Sequence, residues 1–266
     1  MMTIKNYVRA QSIEEAYALN QKRSNRIIGG MLWLKMSNAS INTAIDLYEL
    51  GLDRIEETAD SFSIGAMVSL RQLELHEGLN AYTNGAVRNA VQDIVGVQFR
   101  NMATVGGSIY GRFGFSDVLT VFQAMDCCVE LHNGGIVSLE EFAKMKRERD
   151  LLIRIIVKKH AGCYAYTAMR NSRTDFPVLA VAASCMEGSC RVVIGARPGR
   201  AVILRDDRGA LDNGIDPHGI AHFVEYALEH VNVGGNSRAS AAYRKHLVKV
   251  LVERALTELG GHLNGN

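Results

Sequence analysis

Two glycine pairs are the residues of this sequence whose types and spacing point most directly to chemistry. Gly29-Gly30 lies in the segment IIGGMLWLKM, and Gly106-Gly107 lies in the segment RNMATVGGS. Paired glycines let a backbone approach a ligand closely and aim several N–H groups at one point, which suits a pyrophosphate. A glycine pair taken alone is more often a plain tight turn. The two pairs are therefore candidate anion-binding loops that need support from their surroundings.

Groups next to the glycine pairs could complete an anion site. The first pair follows a short apolar strand and precedes a predicted helix, whose N-terminal N–H groups and dipole would favour an anion. In the second segment, Thr104 can offer its hydroxyl, while Val105, Gly106 and Gly107 can offer backbone N–H groups. For the first pair, a simple strand-to-helix turn stays open as the alternative.

Longer motifs that include both pairs resemble a known family. The segment RNMATVGGSIYGRFGFSD is similar to the Arg-Asn-x-Ala-Thr-Ile/Val-Gly-Gly-Asn and Ser-Asp motifs of a flavin subunit. That subunit is the FAD-binding (medium) subunit of the xanthine dehydrogenase and carbon monoxide dehydrogenase family, the molybdenum hydroxylases. The first pair resembles the family's Ala-Gly-Gly-Thr-Asp-Leu loop, and ASAAYR near the end resembles its Ala-Ser-x-x-Tyr-Arg motif. The resemblance covers nearly the whole chain, with the motifs in the same order.

The resemblance implies that the chain binds FAD without a covalent bond. It places Gly29, Gly30 and Met31 along the FAD diphosphate and gives Asp117 a hydrogen bond to a ribose hydroxyl or to the adenine. As a residue of this sequence, Asp117 also suits the N-cap of a helix, because Ser-Asp precedes an apolar run. The complete predicted FAD site consists of Ile28, Gly29, Gly30, Met31, Leu32, Trp33, Thr104, Val105, Gly106, Gly107, Ser108, Asp117, Leu152, Ile153 and Thr167.

Three positions of this predicted site depart from the family pattern. Met31-Leu32 stands where the family has Thr-Asp, and Ser108 stands in place of an asparagine. Thr167 aligns with a lysine that some members place near the flavin, and Arg170 follows it. A cation near the flavin would stabilise negative charge on the reduced ring, so its loss is expected to lower the redox potential.

Apolar and aromatic residues of the predicted site have simpler interpretations as well. Leu152 and Ile153 would contact the flavin by resemblance, but as isolated residues they would belong to a core strand. The lone Trp33 is interpreted as a core residue rather than part of a cofactor site. Tyr110 and Phe113 could stack on a ring, although an aromatic residue in a glycine-rich loop is as often a local packing anchor.

Other kinds of catalytic or binding site have little support in the sequence. His218 and His222 are four residues apart, which could place two imidazoles on one helix face. No adjacent acid or cysteine completes a metal site, and Pro217 and Gly219 make a helix there doubtful. The sequence contains no Gly-x-Ser-x-Gly elbow, no P-loop and no Gly-x-Gly-x-x-Gly fingerprint.

Composition bounds the class of protein. The chain has 266 residues, a formal net charge of +2 and 47% hydrophobic residues, which is typical of a globular protein without an electrostatic preference for nucleic acid or a membrane surface. We find no signal peptide or spanning segment, and the five cysteines form no Cys-x-x-Cys pair. Reduced thiols and a cytoplasmic location are therefore expected. An iron–sulfur cluster usually needs four clustered cysteines, so any such cluster is expected on a partner subunit.

The pattern of apolar residues predicts an α+β protein. The resemblance implies a two-subdomain FAD-binding domain (PCMH-type), followed by a small C-terminal domain of antiparallel sheet plus helices. We place the boundaries at residues 1–53, 54–159 and 160–266. The first predicted helix has Ser12 as its N-cap, in a capping box with Glu15. Further helices are predicted over residues 70–75, 85–95, 220–230 and 237–259, and Gly260-Gly261 is predicted to end the last one. The predicted strands cover residues 26–28, 43–47, 63–66, 127–131, 151–157, 164–169, 180–186 and 191–195, with a hairpin turn at Asn133-Gly134-Gly135.

Three hypotheses for function follow. In the first, the chain is the FAD-binding electron-transfer subunit of a cytoplasmic molybdenum hydroxylase, with a small [2Fe–2S] subunit, a large molybdopterin subunit, and NAD or another acceptor. In the second, it is a docking subunit of the same complex whose flavin site has been lost, as Met31, Leu32 and Thr167 suggest. In the third, it is a stand-alone flavoenzyme, although no candidate proton donor is found.

Overall fold

The computed structural model describes residues 1–212 and 214–264. These residues form two compact units and contain three β-sheets. The first unit consists of Met1–Gln72, Val97–Gly111 and Cys127–Lys158, and the second consists of Leu73–Gly96, Arg112–Asp126 and Lys159–Asn266. The strands are β1 Thr3–Arg9, β2 Arg26–Ile28, β3 Ser40–Asp46, β4 Ile55–Glu57, β5 Ser61–Gly65, β6 Cys127–Leu131, β7 Gly135–Ser138, β8 Leu152–Lys158, β9 Gly162–Arg170, β10 Pro177–Met186, β11 Ser189–Gly195 and β12 Val202–Arg205. The helices are α1 Ile13–Asn20, α2 Leu70–Leu75, α3 Glu77–Tyr82, α4 Ala86–Val91, α5 Val97–Met102, α6 Val105–Gly111, α7 Asp117–Gln123, α8 Leu139–Lys144, α9 Pro217–His230 and α10 Ala241–Asn264.

The first unit contains a small parallel sheet and a larger antiparallel one. The parallel sheet has the order β1-β3-β2, so that Ile28, the last residue of β2, pairs with Asp46 at the end of β3. Loops that leave the carboxyl ends of parallel strands commonly form ligand sites. The antiparallel sheet has the order β4-β5-β8-β6-β7, with β8 in the middle. The predicted hairpin at residues 133–135 is confirmed, since it joins β6 to β7.

The second unit is built around a four-stranded antiparallel sheet, with the order β12-β11-β10-β9. Helix α10 packs against β9, β10 and α9. Strand β10 is almost wholly buried, and its apolar side chains share one core with those of the two helices. The α+β prediction with a C-terminal antiparallel sheet plus helices is therefore confirmed. The three-part division at residues 53 and 159 stays a prediction, and the two compact units divide the chain differently.

Two helix starts show how far the predictions from local sequence were correct. The hydroxyl of Ser12 accepts the backbone N–H of Glu15 at 3.1 Å, so the predicted cap of α1 is confirmed. The Glu15 carboxylate, however, accepts the N–H of Gln11 at 2.7 Å rather than that of the cap residue. Helix α9 begins at Pro217 with Asp216 as its cap, so the doubt about a helix there was wrong. Proline at a first helical position costs nothing, since its missing N–H would have no helical partner.

The predicted end of the last helix is wrong. Helix α10 runs through Gly260-Gly261 to Asn264. A Cβ placed on Gly260 would lie 2.8 Å from the carbonyl oxygen of Ile215, whereas a Cβ on Gly261 would meet nothing within 4 Å. Gly260 is thus needed for close packing against a neighbouring segment, and it does not act as a helix stop.

This difference predicts opposite effects for two neighbouring substitutions. We expect Gly261→Ala to stabilise the protein by up to about 1 kcal/mol, because alanine is the better helix former and has room. Gly260→Ala is expected to destabilise it, because Ile215 would have to move. Urea denaturation of both variants measures the difference, and equal effects would show that the helix does not continue past residue 259.

A histidine of the second unit predicts a pH dependence of stability. Nε2 of His160 lies 2.8 Å from a carboxylate oxygen of Asp126, and Nδ1 lies 3.1 Å from one of Glu187. The hydrogen bonds to Asp126 and then Glu187 raise the pKa of His160 above its ordinary value. The folded state therefore binds this proton more tightly than the unfolded state, and the stabilisation is complete below the unfolded pKa.

We expect that stabilisation to be lost as the pH rises through the raised pKa of His160. Its size is expected to be about 1 kcal/mol or less, because the side chain of Glu187 is 68% exposed to solvent. Urea denaturation of the natural protein and of His160→Gln across neutral pH measures it. The variant should lack this part of the pH dependence, and identical pH profiles would contradict the prediction.

Candidate functional site

The first glycine loop leaves the carboxyl end of β2. Ile28 is buried and packs with Ile41 and Ala44 of β3, which fixes the starting point of the loop. The chain then passes through residues 29–33 without regular structure and forms a single 3₁₀ turn at Leu34–Met36. The predicted helix after Gly29-Gly30 is therefore wrong, so the anion site of this loop cannot draw on the dipole of a helix that follows it directly.

The two glycine loops meet within the first unit. A Cβ placed on Gly29 would lie 2.8 Å from Oγ1 of Thr104, and one on Gly30 would lie 1.8 Å from the carbonyl oxygen of Met102. Real Cβ contacts of that length with a backbone carbonyl do not occur, so only glycine allows this approach. The motifs that sequence analysis linked only by resemblance are thus adjacent in space.

The backbone of the first loop retains hydrogen-bonding capacity. Among the described residues, the N–H groups of Gly29, Gly30, Met31 and Leu32 donate to no protein acceptor. Met31 has a φ of 58°, in the left-handed region that non-glycine residues seldom adopt. Successive N–H groups without partners are suited to hold an anionic group such as a diphosphate. The Met31 side chain packs against the cluster of Ile28, Ile41 and Ala44. What Met31 can offer a ligand is therefore its backbone N–H group.

The second loop behaves differently from the prediction. The N–H of Val105 donates to the carbonyl of Val68 at 2.8 Å, and the N–H of Gly106 donates to the carbonyl of Ala66 at 2.8 Å. The N–H of Gly107 donates to Oγ1 of Thr104 at 3.1 Å. The prediction that these three N–H groups are offered to a ligand is wrong, because they fasten the loop to the protein.

The hydroxyl groups of the second loop also have distinct roles. Oγ1 of Thr104 accepts the N–H of Gly107 but donates to no acceptor in the described chain, so its proton stays available to a ligand. Ser108 instead donates its hydroxyl to the carbonyl of Thr104 at 3.1 Å. Thr104 is therefore the side chain of this loop that is best placed to bind an anion beside Gly29.

The apolar residues of the predicted site divide into core and surface. Leu152 and Ile153 are buried at the start of β8, and the carbonyl of Ile153 accepts the N–H of Ala66 at 2.9 Å. Their contact with a flavin stays a prediction. Trp33 is 45% exposed, so its interpretation as a core residue is wrong. The exposed Trp33 precedes the 3₁₀ turn that follows the first glycine loop, and the exposed Met36 is the last residue of that turn.

The remaining predicted site residues, Asp117 and Thr167, belong to the second unit. Asp117 is buried, and its Oδ1 accepts hydrogen bonds from Arg170 at 2.7 Å and from the hydroxyl of Tyr166. The residue that caps α7 is Ser116, whose hydroxyl accepts the N–H of Leu119, so the N-cap interpretation of Asp117 is wrong. Thr167 lies on β9 between Tyr166 and Arg170 in sequence.

Burial shifts the pKa values of Asp117 and Tyr166, which form a cluster with Arg170. Loss of solvent raises the pKa of Asp117, while the Arg170 cation opposes that rise. Burial also raises the pKa of Tyr166 well above its ordinary value, and the charge of Asp117 adds to the effect. The tyrosine therefore stays protonated at neutral pH and donates its hydroxyl to Asp117.

The other candidate residues have local partners. The ring of Tyr110 lies 6.1 Å from that of Phe142, and its hydroxyl donates to a backbone carbonyl. Phe113 stacks on Phe115, with ring centroids 5.2 Å apart. Both aromatics thus serve as local packing anchors. The rings of His218 and His222 lie 4.3 Å apart, but no cluster of three metal-ligating side chains occurs in the described part of the chain.

Sequence reasoning did not assign roles to Tyr166 and Arg170. Arg170 was noted only because it follows the position of the missing lysine, and Tyr166 lies within an apolar strand pattern. Their link to Asp117 depends on the packing of α7 against the second unit's sheet, which no local pattern reveals.

Comparisons with known proteins identify the family to which the two parts of the chain are similar. Residues 2–159 match the family described as FAD binding domain in molybdopterin dehydrogenase, and residues 164–259 match the CO dehydrogenase flavoprotein C-terminal domain. The chain is 25% identical over 255 residues to the protein YgfM of Escherichia coli strain K12, covering 94% of each chain. It is 23% identical over 283 residues to a putative xanthine dehydrogenase FAD-binding subunit, XdhB, of the same strain, covering 97% of each.

Solved structures share the fold. Quinoline 2-oxidoreductase from Pseudomonas putida 86 superposes with a TM-score of 0.86 at 19% identity, covering 98% of each chain. Reconstituted CO dehydrogenase from Oligotropha carboxidovorans superposes with a TM-score of 0.84 at 22% identity, covering 97% of each. At these identities, the likeness is one of fold.

The chain belongs to the family of FAD-binding (medium) subunits of the molybdenum hydroxylases. It is a flavoprotein subunit of an oxidoreductase, and its cofactor is FAD. Within the described residues, no helix combines the length and hydropathy needed to cross a lipid bilayer.

Proposed function

We propose that this chain is the electron-transfer subunit of a xanthine dehydrogenase-like complex. It would receive electrons from [2Fe–2S] clusters of a small partner subunit and deliver them to NAD or another acceptor. A large partner subunit would hold the molybdopterin and oxidise the substrate. When FAD is bound, its isoalloxazine supplies the redox chemistry, and the protein supplies binding and electrostatics.

The observation that carries the proposal is the meeting of the two glycine loops in the first unit. Gly30 contacts the backbone at Met102, Gly29 contacts Thr104, and the N–H groups of residues 29–32 have no acceptor among the described residues. These groups fit the diphosphate of FAD: the backbone from Gly29 to Leu32 would donate hydrogen bonds, and Thr104 would add its hydroxyl. The residues present therefore suit the cofactor.

The cysteines support a partner for the iron–sulfur clusters. All five are free thiols, and Cys127, Cys163, Cys185 and Cys190 are buried. Those four lie on strands of two sheets in different units, and no cluster of cysteine, histidine and acidic side chains occurs in the described residues. The described residues thus offer no ligand set for an iron–sulfur cluster, which supports the proposal that a partner subunit carries the clusters.

The competing account is a docking subunit that no longer holds FAD, and it rests on Met31, Leu32 and Thr167. The loop geometry argues against it, because the backbone N–H groups of Met31 and Leu32 donate to no acceptor among the described residues, and backbone donors do not depend on the side chains. If the site were lost for want of the family's Thr-Asp, Met31→Thr combined with Leu32→Asp should restore FAD binding to a colourless protein. Unchanged FAD affinity in that variant would count against the docking account.

Purification of the tagged chain from its source tests the proposed function. We expect a small iron-containing subunit and a large molybdenum-containing subunit to copurify with it, as metal analysis and mass spectrometry would show. Reduction of the complex by NADH in the absence of oxygen would identify NAD as the acceptor. A chain that purifies alone, without iron or molybdenum and with turnover of its own, would support a stand-alone flavoenzyme instead.

A further inference from the structure

Two cysteines of the second unit face each other across the hairpin of β10 and β11. Cys185 pairs in register with Cys190, and their Sγ atoms lie 2.7 Å apart. An ordinary non-bonded contact is longer, about 3.5–4.0 Å even between the smaller carbon atoms. Opposed residues of antiparallel strands have Cα atoms about 4.5–5.5 Å apart, within the range of about 4.4–6.8 Å that a disulfide bond spans. The backbone therefore already has the separation that a bond between these two sulfurs requires.

The turn next to this pair of cysteines fixes the register of the hairpin. Met186 pairs with Ser189 at the ends of the two strands. Only Glu187 and Gly188 lie between them, with φ values of 49° and 81°. Two successive residues of positive φ are typical of a type I′ turn, whose twist matches that of the strands it joins. Because the loop length sets the register, this turn holds the two thiols opposite each other.

The pair of thiols is buried close to an exposed turn. Cys185 and Cys190 are 7% and 6% exposed, and they belong to the core that the sheet shares with α9 and α10. The three residues at 187–189, which follow towards the tip of the hairpin, are all exposed. Local opening takes the least free energy at such exposed loops. A small neutral oxidant such as hydrogen peroxide can therefore reach the sulfurs.

The two thiols differ in their readiness to lose a proton. The thiol of Cys190 donates its hydrogen to Sγ of Cys185, which lowers the pKa of Cys185 against the opposing effect of burial. The same hydrogen bond and then burial raise the pKa of Cys190. A thiolate, rather than a thiol, is the nucleophile in cysteine chemistry. Cys185 is therefore the residue that reacts first with an oxidant, and Cys190 is the residue that reacts second.

A third cysteine in the same row of the sheet lacks these features. Cys163 of β9 pairs in register with Cys185 from the other side of β10. Its thiol donates to the carbonyl of Leu259 at 3.6 Å, and burial raises its pKa to about 11. Cys163 therefore stays protonated at neutral pH, and its hydrogen bond turns it towards α10 rather than towards the hairpin pair.

We propose that Cys185 and Cys190 form a site of reversible oxidative modification, at which hydrogen peroxide converts the two thiols into a disulfide bond. The thiolate of Cys185 attacks one oxygen of the peroxide, and the O–O bond breaks to leave a sulfenic acid and hydroxide. The hydroxide takes up the proton that Cys185 released. Sγ of Cys190 then attacks Sγ of Cys185, so that the S–S bond forms, the S–O bond breaks, and the proton of Cys190 leaves with that oxygen as water. The two thiols lose two electrons in all, and one peroxide is reduced to two molecules of water.

Thiol titration and peptide mapping of the natural chain test the proposal. The reduced protein is treated with increasing concentrations of hydrogen peroxide, quenched, alkylated in denaturant and digested with trypsin. We expect two of the five thiols to be lost together and to return on reduction with dithiothreitol. Cleavage after Arg173 and Arg191 leaves both cysteines in one peptide, residues 174–191. That peptide should become lighter by two hydrogen atoms and should escape alkylation.

Two variants in the same row of cysteines are matched controls. Cys163→Ser should form the disulfide at the same peroxide concentration as the natural chain, because Cys163 takes no part in the reaction. Cys190→Ser should lose the thiol of Cys185 without recovery on reduction, because a sulfenic acid with no second thiol to attack it is oxidised further to a sulfinic acid.

Other results of the same experiment would overturn the inference. A natural chain that keeps all five thiols at peroxide concentrations that oxidise the exposed Met36 would show that the pair does not react. Cross-linking of the peptide 174–191 to the peptide 160–170 would show that Cys163 is the partner of Cys185 instead. Irreversible addition of oxygen to Cys185 in the natural chain, without loss of two hydrogen atoms, would show that Cys190 does not complete the reaction.

Discussion

Gly30→Ala is expected to abolish FAD binding and to destabilise the protein by about 3 kcal/mol or more, at the upper end of the range for overpacking. The added Cβ would lie 1.8 Å from the carbonyl oxygen of Met102, a backbone atom that cannot move away by a rotamer change. The two glycine loops would have to separate, and the N–H groups of residues 29–32 would lose their present arrangement. Urea denaturation and FAD titration measure the two effects.

Gly29→Ala is the matched control in the same loop. Its Cβ would lie 2.8 Å from Oγ1 of Thr104, the end of a side chain that can turn aside. We therefore expect a smaller loss of stability for Gly29→Ala than for Gly30→Ala. A Gly30→Ala variant that binds FAD as tightly as the natural chain would show that contact between the loops is not required for the site.

Arg244→Met is expected to destabilise the second unit by about 3–5 kcal/mol, because four buried or partly buried oxygen acceptors would lose their donor. Arg244 is 1% exposed, and its guanidinium is held by oxygen acceptors. It donates to the carbonyls of Val178 at 2.9 Å, Gly234 at 2.9 Å and Ala239 at 2.8 Å, and to the side-chain oxygen of Asn236 at 2.8 Å.

The reason for so large an effect is the set of acceptors that would be left behind. Each buried carbonyl that loses its donor costs about 1–3 kcal/mol, and methionine supplies no replacement. Arg254→Met is the control, because Arg254 is an exposed residue of the same helix and its loss should change stability by less than about 0.5 kcal/mol. Equal urea midpoints for Arg244→Met and the natural chain would contradict the prediction.

Arg244 also explains part of the Ala-Ser-x-x-Tyr-Arg motif. Ser240 accepts the N–H of Tyr243 through its hydroxyl at 3.1 Å at the start of α10, and Arg244 fastens the preceding loop to β10 through Val178. The motif was used in sequence analysis only as a sign of the family. Its physical role depends on acceptors up to 66 residues away, which the local pattern does not contain.

Much of the fold could be predicted because its signals are local. Strand β6 occupies residues 127–131 as predicted, and Ser12 caps α1, since alternation and capping depend on residues near one another. Strand β1 was missed because its side chains are mostly exposed and give no apolar run. Its parallel pairing with β3 involves a partner about 37 residues distant in sequence.

The sequence predicted which residues of the site lie together better than it predicted what each residue contributes. Gly29, Gly30 and Thr104 do come together, but the N–H groups of Val105 and Gly106 donate to protein carbonyls of the segment at residues 66–68. Sequence spacing can show which backbone is able to approach a ligand, whereas it does not show which N–H groups the protein itself satisfies. The cofactor contacts of the fifteen predicted site residues therefore stay predictions.

The visible absorption spectrum of the purified chain, before and after addition of FAD and removal of the excess, tests the central claim most directly. Chromatography of the released cofactor would identify it. We expect flavin absorption bands that survive desalting and released FAD in close to one equivalent per chain. A protein that stays colourless after incubation with excess FAD would contradict the account and leave a docking subunit as the better description.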